Sequence, residues 1–509
     1  VSFGYLCGMS LKSRLDAELR LQALLTSGVE LISWDQEVCM PPGGVAGRAG
    51  LLGAMAGLLH QHLVETILPL LREAENSPDL DEDTRAQVKM LLEDAEMAEK
   101  VPADLVQKLS EAASMAQQAW AEARARSDFE LFRPHLETLV ALSREKAAAL
   151  GYTDEPYEAL LRLYERSVKP AEIEQLFSEL KPFLTATVRL CQDQSPLGVD
   201  GPPLSMPADQ QKALIRRIVS ELGYDLSRGR IDESAHPFCT GINPDDVRIT
   251  LRIYEDDLTM GLSSALHEMG HALYEQGLQR EPLGWPSTRA ASLSVHESQS
   301  RFWENHIGAT LAYWTYLYEK VLPDYQVDWL SEYSPLTLTR RVNRIQPHLI
   351  RIQSDEVSYH LHIMLRFELE RALINGDLTV RDLPAAWNDK IAEYLNITVP
   401  DDARGVLQDI HWSMGSFGYF PTYSLGSFLA AQLAEALTAA HPDWEERLTQ
   451  GDGTLPLAWM RERIHRHGAR YRTQELCEQA TGAPLSAQAF IRYIQRKVAQ
   501  LYEGLAIPA

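Results

Sequence analysis

The stretch SSALHEMGHALYEQG, residues 263–277, decides how the chain is read. At helical spacing Leu262, Ala265, Leu266, Met269, Ala272 and Leu273 form one apolar stripe, and His267, Glu268, His271, Ser264 and Glu275 fall on the other side. The histidines are therefore not core residues but face solvent or a cleft. Residues four apart stack on one helix face, so both imidazoles can reach one divalent ion lying about 2 Å from each nitrogen. Glu268 is turned away by one position and misses ligation. From there it can take a proton from a metal-bound water, whose pKa Zn²⁺ lowers to about 7. The plainer alternative is a core helix with three chance polar residues.

A catalytic metal site of this kind needs a third protein ligand and an open position. Downstream lies SLSVHESQSRFWENHIG, residues 292–308, a second helix that Ser292 or Ser294 could cap. Glu297 offers a carboxylate there and His296 an imidazole. Neighbours on a helix point about 100° apart, so only one of them can face the ion. On the residues alone both stay open.

Composition narrows the partners. The chain has 509 residues, 45% hydrophobic and 23% charged, the balance of a soluble globular protein. Its formal charge of −23 argues against a nucleic-acid partner, which would call for clustered Lys and Arg. No run of 18 apolar residues occurs, so no membrane-spanning helix is expected. The start lacks a basic segment followed by an apolar one, so no secretion signal is expected, and Met9 could be a native start with residues 1–8 an upstream extension. Cys7, Cys39, Cys191, Cys239 and Cys477 are scattered and form no CxxC pair. A reducing cytoplasm is the expected setting.

Helical signals dominate. Residues 10–30, 83–120 and 127–150 are rich in Ala, Leu, Glu, Gln and Arg at three-to-four spacing, and GSFLAAQLAEALTAAHPDW repeats the pattern near the C-terminal end. In SMPADQQKALIRRIVSELG, Pro207 stands where a first helical position would be and Gly223 where the helix should stop. Residues 193–207 form a Pro/Gly-rich linker. DVRITLRIYEDD alternates, with Ile249, Leu251 and Ile253 on one side and Arg248, Thr250 and Arg252 on the other. That is a strand, and it predicts a small sheet beside the HEMGH helix. His360 with His362 and His465 with His467 are two apart, on different helix faces, so neither pair makes a ligand set.

A wider set of motifs stands in order: WDQEVCMPPGG (34–44), HPF (236–238), DVRIT (246–250), HEMGH (267–271), HESQS (296–300), IRIQSDE (350–356), GVLQDIHW (405–412) and GSFGYFPTYSLG (415–426). Together they resemble the carboxypeptidase Taq family of zinc metallocarboxypeptidases across most of the chain. Two departures, Ser354 where the family usually has Ala and a less acidic YEALLRLYERS (157–167), lie outside the chemistry.

The resemblance implies a mainly α-helical fold: one metallocarboxypeptidase domain over 1–509, two-lobed around a deep substrate cleft, with a small sheet beside the zinc helix. It also implies a homodimer acting on peptides with a free C-terminus, while charge and hydropathy give the expectation of no nucleic acid or membrane as partner. The implied metal ligands are His267, His271 and Glu297, holding one Zn²⁺ per chain, with Co²⁺ or Mn²⁺ as possible substitutes. Glu268 is the implied general base and acid. Arg351 is the implied anchor for the substrate carboxylate, because a planar guanidinium binds it in bidentate fashion. Arg248 is the second choice, as anchor or as structural partner of Asp355. His236 looks like part of the set that closes the cleft. Tyr423, Tyr419 and His411 have the right chemistry to donate to an oxyanion. The alternatives are an open-cleft oligopeptidase and, further off, a helical binding scaffold without activity.

Overall fold

The computed structural model describes residues 9–192, 199–234 and 236–502. The possible extension 1–8, with Cys7, and the linker residues 193–198 lie outside the described residues. The chain forms two compact units, each assembled from three separate stretches. Unit one takes the described residues through Glu99, then Pro202–Glu332 and Leu433–Ala483; unit two takes Lys100–Gly201, Tyr333–Gln432 and the residues from Pro484 onward. Helices make up most of both, and the four described cysteines are free thiols.

Local rules account for the helix ends. The helical region expected over 83–120 is two helices, Glu82–Lys100 and Ala103–Arg126, because Pro102 has no N–H to continue the ladder. Pro207 precedes the helix Ala208–Glu221 as its N-cap, one position before the expected one, and Gly223 follows with φ +105°, which a side chain would disfavour. The first helix runs further than expected, Leu11–Val38, and packs on Val45–His62. The stretch Ala46–Glu75 is long and apolar enough, by length and composition, to cross a membrane, and little of it is buried. A count of uninterrupted apolar residues misses it, because Gly, His and Gln punctuate the run.

In unit one, three strands form the expected sheet: β1 (Gly229–Glu233), β2 (Cys239–Asn243) and β3 (Asp246–Leu251), in the order β1-β3-β2. β3 pairs in parallel with β1 (Ile231 opposite Ile249) and antiparallel with β2 (Cys239 opposite Ile249). Val247, Ile249 and Leu251 are buried as the alternation predicts, but the strand ends before Ile253. Thr250, expected outside, is buried too. Its hydroxyl hydrogen-bonds to Ser234 and accepts from the Phe238 N–H, which makes burial affordable.

The HEMGH helix spans Leu258–Gly277 and begins at Asp257, whose carboxylate accepts from the Thr259 N–H. β2, β3, the helix Leu293–Arg301 and the turn Phe302–Gly308 all pack on it. It is consequently buried almost all round, Glu268 included. Only Ser263, Ser264, His267, His271, Glu275 and Gly277 keep partial exposure between Gly261 and Gly277.

In unit two the helix Glu356–Asn375 is buried along most of its length, with His360, His362, Arg366 and Glu370 all inside. Asp355 starts it, accepting from the Val357 and Ser358 N–H groups.

Candidate metal centre and a second polar cluster

Three side chains of unit one converge. The donor atoms of His267, His271 and Glu297 lie within 4.8 Å of one another. Glu297 Oε2 stands 3.8 Å from His267 Nε2 and 3.6 Å from His271 Nε2. Among the described residues this is the one group of three or more His, Cys, Asp or Glu that gathers in this way. Helix geometry supplies the two imidazoles, and Ser292, which accepts from the Val295 N–H, starts the helix that brings Glu297 across.

The close crossing depends on Gly270. A Cβ built there would lie 2.6 Å from both Gln299 O and Ser300 Cα, so the two helices meet backbone to backbone. Gly270→Ala is expected to force them apart, at an overpacking cost of about 1–3 kcal/mol. Thermal melting should fall and affinity for a divalent metal should drop with it. Unchanged divalent-metal affinity in a calorimetric titration would show that the crossing does not set the ligand spacing.

The ring nitrogens that face away from Glu297 are occupied. His267 Nδ1 lies 2.9 Å from Glu304 Oε2, and Glu304 also accepts from Ser263 Oγ at 2.9 Å and Arg301 Nη1 at 3.1 Å. His271 Nδ1 lies 2.5 Å from His296 Nδ1, and His296 Nε2 lies 2.7 Å from Glu275 Oε1. Arg301 Nε donates to Glu297 Oε1 at 2.7 Å. With both Nδ1 atoms engaged, Nε2 is the nitrogen that each ring turns toward Glu297, and a two-imidazole, one-carboxylate set suits a divalent cation. The residues therefore fit the metal that the motif implies.

The local field is strong. Burial alone would lower the His267 pKa, but Glu297 and Glu304 outweigh it and raise it to about 9. Burial, His296 and His267 hold His271 well below its ordinary value. Against the cost of burial, Arg301 and His267 pull Glu304 down to about 2, so it stays charged. Burial pushes Glu268 up to about 7; His267 opposes the rise, and Glu297 and Glu304 add to it. The Glu268 carboxylate has no hydrogen-bond partner among the described residues and is 7% exposed. A buried carboxyl with a raised pKa beside a candidate cation site marks a candidate for proton transfer.

A second polar cluster lies within unit two. Asp409 Oδ1 accepts from Arg351 Nε and Nη2 at 3.1 and 3.0 Å, and Oδ2 accepts from Arg366 Nε at 2.7 Å. Arg351 Nη1 donates to Tyr359 Oη at 2.9 Å. The Arg351 guanidinium also lies 5.1 Å from the Tyr423 ring centre and 5.6 Å from that of Phe420. His411 Nε2 is 3.4 Å from Tyr423 Oη, and the Tyr419 ring lies 5.3 Å from both the His411 and Tyr423 rings. His411 Nδ1 is buried with no hydrogen-bond partner among the described residues. Burial drives the His411 pKa down to about 4 despite Asp409, so its ring is neutral.

A model of the carboxypeptidase Taq (M32) metallopeptidase family matches residues 14–498. The chain belongs to the M32 family. It is 40% identical to thermostable carboxypeptidase 1 of Thermus thermophilus, over 95% of this chain and 97% of the relative. It is 35% identical to carboxypeptidase 1 of Bacillus subtilis, over 94% and 96%. The solved M32 carboxypeptidase of Deinococcus radiodurans R1 superposes with a TM-score of 0.92 at 34% identity, covering 97% of this chain and 99% of that one. The mainly helical fold with its small sheet is thus the M32 fold, and the chain is an enzyme of a metallopeptidase family.

The M32 motifs sort by unit. HEMGH and HESQS build the triad. HPF lies on the turn between β1 and β2, where His236 is exposed and its carbonyl accepts from Ser234 Oγ. Arg248 pairs with Asp246 through both Nε and Nη2 at 2.8 Å and stacks 4.4 Å over Trp34 of WDQEVCMPPGG. Asp355 is not its partner: that carboxylate accepts from the Gln346, Val357 and Ser358 N–H groups and the Ser358 hydroxyl. IRIQSDE, GVLQDIHW and GSFGYFPTYSLG build the second cluster.

The sequence reading assigns no role to Glu304, Asp409 and Arg366, and places Glu275 on the polar face without one. Glu304 had a signal, since it lies two helical turns beyond Glu297 on the same face. Glu275 had one too, a single turn beyond His271. Arg366 had none, because it lies in a helix buried on every side.

Proposed function

We propose that this chain is a zinc-dependent carboxypeptidase that removes C-terminal amino acids one at a time, with broad tolerance of the terminal side chain. The observation that carries the reading is the convergence of His267, His271 and Glu297 beside the buried Glu268, whose carboxylate has no hydrogen-bond partner among the described residues; membership of the M32 family supports it. When bound, a divalent ion at this triad supplies Lewis-acid polarisation of the scissile carbonyl and acidifies water. Glu304 and His296 hold the two imidazoles in the tautomer that leaves Nε2 free. Glu268 accepts a proton from the attacking water as the new C–O bond forms. It then delivers that proton to the departing amine nitrogen as the C–N bond breaks, so the carboxylate is regenerated.

Arg351 is the residue we assign to the substrate carboxylate, with Arg248, already paired with Asp246, as the weaker choice. Three of the five guanidinium N–H bonds of Arg351 go to Asp409 and Tyr359, which leaves one on each terminal nitrogen. Asp409 braces the guanidinium, so little freedom is lost on binding. Tyr423, Tyr419 and the neutral His411 are the donors we assign to oxyanion stabilisation, with His236 as a further candidate at the substrate.

The test compares a peptide bearing a free C-terminus with the same peptide carrying a C-terminal amide, read by mass spectrometry. A ladder of single losses is expected from the first and none from the second. Equal cleavage of both would replace the carboxypeptidase by an oligopeptidase. Arg351→Ala should lose the preference for the free acid; a variant that keeps it in full would remove Arg351 from the anchor.

A further inference from the structure

The two imidazoles of the triad are held by different means. His267 leans directly on a carboxylate, Glu304, whereas His271 leans on a second imidazole, His296. A neutral ring partner does not fix a tautomer by itself, because each of its nitrogens can be donor or acceptor. Something else must decide which nitrogen of His296 carries the proton.

We infer that Glu275 is the positioning residue that decides it, acting on the metal site through His296. The inference rests on the metal reading above. If His271 ligates through Nε2, its proton is on Nδ1 and donates to His296 Nδ1 at 2.5 Å. His296 must then carry its own proton on Nε2, and this donates to Glu275 Oε1 at 2.7 Å. The reverse tautomer of His296 would set two N–H groups against each other at His271 and leave Glu275 without its donor. A carboxylate accepts and never donates when ionised, so Glu275 admits one arrangement of protons along the line.

The fold makes room for this carboxylate. Glu275 is one turn beyond His271 on the HEMGH helix, and β2 passes over it at Gly241. A Cβ at Gly241 would lie 2.7 Å from Glu275 Oε2 and 2.8 Å from its Cδ. Glycine at that strand position leaves the carboxylate the space it occupies. Glu30, on the helix Leu11–Val38, is its like-charged neighbour and is itself pushed up by burial and by the Glu275 charge.

The arrangement can be tested on the full chain without relying on turnover. The apo protein competes with a chromophoric chelator for Zn²⁺, and the visible spectrum of the Co²⁺ form reports ligand geometry. Glu275→Leu is expected to weaken zinc binding about 10–100-fold, the range typical for loss of a ligand's supporting hydrogen bond. Glu275→Gln keeps an acceptor for His296 Nε2–H and should retain most of the affinity. Gly241→Ala leaves Glu275 in place but displaces its carboxylate from a strand outside the ligand helices, and should weaken zinc binding in the same direction. The Co²⁺ spectrum should shift in Glu275→Leu and Gly241→Ala, while apo melting temperatures stay together. Wild-type affinity in both Glu275→Leu and Gly241→Ala would overturn the inference and leave the metal reading intact. Failure of the unaltered chain to take up zinc would remove both.

Discussion

Glu268→Gln is expected to bind zinc as the unaltered chain does and to lose about 10²–10⁴-fold in turnover, the range for removal of a general base and acid. The amide is nearly isosteric with the carboxylate, so the packing around this buried position is preserved. Neither imidazole loses a partner, because Glu304 and His296 hold the rings and Glu268 does not. What disappears is the group assigned to accept the water proton. Zinc stoichiometry by elemental analysis and single-turnover rates on one peptide check the two halves separately. Turnover at the original level would remove Glu268 from the mechanism, and loss of zinc would mean that it serves the triad instead.

Replacement of Asp409 by Ala carries the largest expected effect on stability. Arg366 is fully buried and Arg351 is 6% exposed, and one carboxylate answers both. Removing it leaves two guanidinium ions inside without their counter-charge, and breaking a buried pair in this way costs about 3–5 kcal/mol. Although burial opposes it, Arg366 and Arg351, with His411, hold the Asp409 carboxyl far below the usual range. A depressed folded-state pKa means that the stabilisation is complete above the unfolded aspartate value of about 4 and is given up as the pH falls below it. Calorimetric melting should therefore show the deficit of Asp409→Ala at neutral pH and a smaller one in acid. A deficit that persists undiminished in acid would show that Asp409 contributes packing and not charge. Because the same carboxylate braces Arg351, preference for a free C-terminus should weaken as well.

Much of this was legible before any coordinates. The HEMGH periodicity places two imidazoles on one line, Ser292 or Ser294 announces the next helix, of which Ser292 is the cap, and alternation announces β3. Those signals are local, and local spacing governs them. Buried polar residues were harder. Thr250 was placed outside because alternation counts its hydroxyl as polar, whereas two hydrogen bonds satisfy it inside. Arg366 and Asp409 are 43 positions apart, and no periodic pattern links them. The choice between His296 and Glu297 could not be made on helix phase alone. In space the two divide the work: Glu297 faces both Nε2 atoms, and His296 stands behind His271.

The order in which the chain visits its two units has a practical consequence. It crosses between them five times, near residues 99, 201, 332, 432 and 483, so neither unit exists as a contiguous fragment. A polypeptide ending at 432 would still contain every triad residue. It would lack His465, whose Nε2 meets Gln299 at 3.0 Å beside the Glu297 turn and whose ring fills the space left by Gly277. Excision of a minimal catalytic core, domain grafting and split-protein reassembly are therefore closed to this architecture unless the cuts fall in exposed loops and both halves are supplied together.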